Sequence, residues 1–209
     1  RLKNPDGRPD YFDEFLERIR DIRASEKRFY QKVRDLFALS SDYEANDKAT
    51  QMFFAETQNK LLFAVCGKTA AEIVVSRANA SQPNMALTSW KGSVVRKQDI
   101  FIAKNYLSAD EIDTLNRLVI IFLETAELRV KDRKDITMQF WKDNVDKIIA
   151  FNDRKVLKTA GSVSNAQMEK RVGKVYEQFD EKRKTHEAWL AEQQDLEEIE
   201  REIKALKNK

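Results

Sequence analysis

The side chains best placed to do chemistry in this sequence are cations and amides. Residues 58–107 carry seven Lys or Arg and only two carboxylates, so this stretch holds the whole basic excess of a chain whose net charge is +3. The cations are Lys60, Lys68, Arg77, Lys91, Arg96, Lys97 and Lys104. Lysine and arginine at a surface neutralise phosphates, and that term dominates nucleic-acid affinity. Beside them stand Gln58, Asn59, Asn105 and Tyr106. Amides can read base edges or phosphates, and a tyrosine ring can stack. These eleven residues form the expected nucleic-acid-binding set.

Other chemistries find less support. The single histidine, His186, and the single cysteine, Cys66, exclude an internal disulfide, a thiolate zinc cage and most imidazole catalysis. Glu72 and Asp99 are the two carboxylates of the basic stretch, too few for a two-metal nuclease centre. A toxin-like nuclease would have to use Glu72, Lys68 and Tyr106 as its acid–base groups. Gly67-Lys68-Thr69 has the ending of a phosphate loop, but Leu62 stands where that motif needs glycine. The simpler reading is a helix break at Gly67, with Thr69 capping the next helix and Lys68 near its positive end, where an anion could bind. No catalytic set, metal or cofactor is implied. Trp90, with its large apolar area, is expected in the core.

These residues must be positioned by helices. The 209 residues are 42% apolar and 35% charged, with five glycines and three prolines, a composition poor in the turns of sandwiches and barrels. Apolar residues recur at helical spacing from Phe12 to Leu36, which predicts one long helix over about 10–38. Asn46 or Asp47 can cap a helix ending near Gly67, and a shorter one follows Thr69. Lys91-Gly92 between Ala86–Trp90 and Ser93–Val95 predicts a small β-hairpin near 86–95, and Asp99–Leu107 reads as a short helix. Ser108 with Glu111 forms a capping box for a helix to about Arg133, Thr137 caps another that runs to Gly161, and Ser164 with Gln167 forms a second box. No proline follows, and heptad-like spacing from Met168 to Leu206 predicts a helix of about 40 residues, against a mean of ~11–12. The expected fold is mainly α: a linker at 1–9, a domain of five to seven helices at 10–161, and a long C-terminal helix at 162–209 able to form a coiled coil and a homo-oligomer.

Several strings are recognisable together. They are Ile22-Arg23-Ala24-Ser25-Glu26-Lys27-Arg28-Phe29-Tyr30, Gln58-Asn59-Lys60-Leu61 with Gly67-Lys68-Thr69-Ala70-Ala71-Glu72, Pro83-Asn84-Met85 with Leu87-Thr88-Ser89-Trp90-Lys91-Gly92, and Ala103-Lys104-Asn105-Tyr106-Leu107 leading to Leu115-Asn116-Arg117-Leu118. Over about residues 10–180 the chain resembles the C-terminal region of the RhuM family of bacterial virulence or DNA-binding proteins. The resemblance implies an N-terminal DNA-binding module preceding this region, and a place in virulence loci or mobile elements. It carries no catalytic residues across. The favoured expectation is a cytoplasmic, nucleic-acid-engaging domain with no membrane partner. The alternatives are a nuclease and an oligomerisation module.

Overall fold

A computed structural model describes residues 11–25, 27 and 29–207. Among them are seven α-helices and no strand: α1 (Tyr11–Ala24), α2 (Phe29–Phe37), α3 (Lys48–Cys66), α4 (Ala70–Arg77), α5 (Ala109–Lys131), α6 (Met138–Phe151) and α7 (Asn165–Lys207). Two short 3-10 turns, Pro83–Ala86 and Ala103–Tyr106, lie between α4 and α5. The linker expected at 1–9 lies outside the described residues.

The helix ends follow local chemistry. The Asp47 carboxylate accepts the Thr50 N–H at 2.9 Å and starts α3. Gly67, at φ +67°, ends it in the left-handed conformation that favours glycine. Ser108 and Glu111 cap α5 reciprocally, Thr137 caps α6, and Ser164 and Gln167 cap α7 reciprocally.

Three expectations are corrected. The predicted first helix is two, because the chain leaves helical geometry between Ala24 and Phe29 although the apolar spacing runs through. α6 stops at Phe151 rather than Gly161: Asn152 turns its side-chain N–H back to the Ile148 carbonyl at 2.8 Å, and Asp153 takes φ +55°. There is no hairpin near 86–95. Here Asn84, Met85 and Ala86 run left-handed in succession, at φ 52°, 56° and 63°, and Thr88–Gln98 continues as an irregular loop.

The chain divides into two compact units. The first holds the described residues up to Glu72 together with Leu107–Ser162. Its centre is α5, which touches α1, α2, α3 and α6. Leu115, Leu118, Val119, Phe122, Leu123, Ala126 and Val130 give α5 a continuous buried face. Trp141, fully buried, lies 5.2 Å from the Phe37 ring and 5.9 Å from the Phe122 ring, and Phe37 stacks on Phe53 at 5.5 Å. The second unit holds Ile73–Tyr106 and the chain from Val163 onward. Its core includes Ile73, Val74, Met85, Leu87, Val95, Ile100, Met168 and Val172. The boundary falls inside α4, and α7 shares its unit with 73–106 instead of standing alone.

Candidate nucleic-acid interface

The eleven expected contact residues are distributed over both units. In the first unit, Lys60 is structural. Its ammonium reaches Glu56 and Asp146 at 2.9 Å each, and its side chain is only 11% exposed. Burial pulls its pKa down, but these two carboxylates outweigh that and hold it above the usual lysine value. The Asn59 side-chain oxygen accepts the Ala70 N–H at 2.9 Å, so this amide caps α4. Gln58 is half-buried and Lys68 is exposed.

The start of α4 is capped in an unexpected way. The Thr69 backbone N–H donates to Glu72 at 2.8 Å. The hydroxyl of Ser162 donates to the same carboxylate at 2.6 Å, as does its backbone N–H. These bonds, led by the Ser162 hydroxyl, hold the Glu72 carboxyl down to about 2. Gly161 lies so close that a Cβ there would come within 2.7 Å of Thr69 Cγ2. Two consequences follow. The Thr69 and Ala70 amides are already bonded and unavailable to an anion beside Lys68. Glu72, the acid–base candidate of the nuclease alternative, is fixed as a carboxylate tying two segments together.

In the second unit the basic loop rests on a polar knot centred on Asn105. The Asn105 side-chain N–H donates to the Asp99 carbonyl at 2.9 Å, and its own carbonyl accepts the Thr88 N–H at 2.7 Å and the Thr88 hydroxyl at 3.0 Å. The Asp99 carboxylate accepts the Arg96 N–H at 3.0 Å. Both ends of the loop Thr88–Gln98 are thus tied to one small region. Asn105 and Tyr106 are only 4% and 3% exposed, which corrects their expected contact role: neither a base edge nor a stacking base can reach them. The Tyr106 hydroxyl donates to the Ile100 carbonyl at 2.8 Å, and burial pushes its phenol well above the usual tyrosine value. Arg77 likewise donates to the Tyr106 carbonyl at 2.7 Å.

Lys91, Arg96 and Lys97 remain on the surface of this loop, all exposed, with Lys104 half-buried. Trp90 is partly exposed beside Lys91 rather than enclosed in the core. The loop displays cations and one large ring, and its only carboxylate neighbour in the basic stretch, Asp99, is buried. Arg117, outside the basic stretch, is exposed and paired with Asp113 at 2.7 Å. The pinning role of Asp99 had a signal in the sequence, since an acceptor three residues after Arg96 is the return half of a capping box. The partners of Asn105 at Thr88 had none.

A family model described as the Virulence protein RhuM family matches residues 1–187. The chain belongs to this family. Comparison with curated proteins and with solved structures gave no match. In this RhuM-family chain no group of three His, Cys, Asp or Glu among the described residues is arranged to hold a metal ion. No helix among them is long and apolar enough to cross a membrane.

Proposed function

We propose that this RhuM-family chain engages nucleic acid through the loop Thr88–Gln98 of its second unit. One observation carries the reading: Lys91, Arg96 and Lys97 are exposed together with part of Trp90 on a loop held at both ends by the Asn105 knot. Functional groups concentrate on loops held by a fixed scaffold. Three cations without an exposed carboxylate between them suit a phosphate backbone, and a tryptophan ring suits a base face of any sequence.

The test is fluorescence anisotropy against duplex DNA, single-stranded DNA and RNA over a range of salt. The triple variant Lys91→Ala, Arg96→Ala, Lys97→Ala is expected to weaken binding to all sequences alike. Its salt slope on duplex DNA should flatten by about 2.7 if each cation meets one phosphate. Reversing the charge of Lys131, Arg133 and Lys134 in the first unit should leave binding unchanged. If the loop variant binds all three as tightly as the parent, with the same slope and the same melting temperature, the reading fails.

A further inference from the structure

From Lys184 to Arg201 every residue of α7 is exposed. Within this stretch and just beyond it, Trp189, Leu196, Ile199 and Ile203 are 53%, 51%, 52% and 47% exposed. Leu196, Ile199 and Ile203 occupy successive a, d and a positions of a heptad, and Trp189 stands one heptad before Leu196, so the four share one face of the helix. All four lie beyond the residues matched by the family model. A seam of this kind covers itself by packing into another helix.

The charges beside it select the partner. Between Glu187 and Glu200 the chain has six carboxylates and no Lys or Arg. Glu187 is paired with Arg183, Glu197 with Arg201 and Glu200 with Lys204 along the helix. Glu192, Asp195 and Glu198 form no ion pair among the described residues. Asp195, the g residue just before Leu196, and Glu200, the e residue just after Ile199, flank the middle of the seam. In a parallel pairing of two copies, g meets e of the other helix, which sets Asp195 against Glu200 in the middle of the seam, while beyond it Glu202 meets Lys207. In an antiparallel pairing g meets g and e meets e, which sets each carboxylate against its own copy. Flanking charges determine which helices pair.

We propose that the exposed half of α7 docks a basic amphipathic helix of another protein, with Trp189, Leu196, Ile199 and Ile203 as the apolar anchors and the flanking carboxylates facing lysines or arginines. The surface is separate from the basic loop, and the proposal does not depend on nucleic-acid binding.

The experiment titrates the full chain with two synthetic four-heptad peptides that share Ile at a and Leu at d. One carries Lys at e and g, the other Glu. The basic peptide is expected to bind, and the acidic one to bind at least about tenfold more weakly. The variant Leu196→Gln, Ile199→Gln, Ile203→Gln, altered only at exposed positions, is expected to keep its helical circular dichroism and lose at least about tenfold in affinity for the basic peptide. Sedimentation should find the parent chain monomeric at the concentrations used. Equal binding of both peptides would overturn the proposal, and so would binding that survives the seam variant, which is charge attraction alone. A dimer that the seam variant dissociates would also overturn it, because the seam would then belong to a second copy.

Discussion

In the first unit Trp141 is enclosed by Phe37, Phe122 and Phe140, whereas in the second unit Asn105 is enclosed by the backbone of Thr88, Ser89 and Asp99. The first arrangement is held by apolar area, which is tolerant of direction and grows with each ring added. The second is held by a few directed bonds in a segment with little regular structure, where a missing partner strands a buried polar group. The basic loop is built on the second kind of support. Its cations are presented by hydrogen bonds rather than by a helix face, so damage to the knot should move them without unfolding the bundle.

The strongest way to break this contrast is at Trp141. Trp141→Ala removes the largest fully buried side chain and is expected to cost about 3–5 kcal/mol, read by chemical denaturation. Asn105→Ala should cost less, about 1–3 kcal/mol, by stranding the Asp99 carbonyl. Its signature is local: limited proteolysis should cleave within Thr88–Gln98 earlier than in the parent, while the first unit stays resistant. Uniform sensitivity along the chain would show that the two supports are not separable.

Four helix starts were legible because capping is a short-range code; the cap expected from Thr69 on α4 was not, since Asn59 and Glu72 supply it in place of the Thr69 hydroxyl. Asp47, Ser108 with Glu111, Thr137 and Ser164 with Gln167 each act within three residues, and each cap is where the spacing put it. The long α7 was legible for the same reason, together with its lack of proline. The break between α1 and α2 was hidden because the apolar spacing continues through it with no glycine or proline to mark it. The hairpin expected near 86–95 and the helix expected over 99–107 give way to an irregular loop and a 3-10 turn at Ala103–Tyr106, because the shape there depends on bonds between Asn105 and residues about sixteen positions away. Charge composition located the basic loop, but it could not separate the exposed Lys91, Arg96 and Lys97 from Lys60 and Arg77, whose partners lie elsewhere in the chain.

Two smaller effects sharpen the comparison. Glu72 titrates at about 2 in the folded chain and near the ordinary 4.5 when unfolded. A depressed folded pKa stabilises above the unfolded value, so this contribution is complete above about pH 5 and is lost as pH falls toward 2. After allowance for solvent screening it is expected to be about 1 kcal/mol. The difference in stability between the parent and Glu72→Gln should therefore shrink between pH 5 and pH 3, and a difference constant with pH would refute the assignment. Smallest is Ala86→Gly. At φ +63° the alanine is held in the left-handed region, and glycine there should raise stability by about 0.5–1 kcal/mol.

The boundary inside α4 sets an order of events during synthesis. Helices α1 to α3 are made before α5, the helix that covers their apolar faces, and the whole of 73–106 is made in between. The first unit therefore cannot close until an inserted segment has been bypassed, and that segment in turn waits for Met168 and Val172 of α7. Neither unit can finish folding by simple N-to-C accretion. For a long interval the nascent chain carries uncovered apolar helices from one unit and an unanchored basic loop from the other, so slowing translation across α5 should expose both to chaperones or proteases.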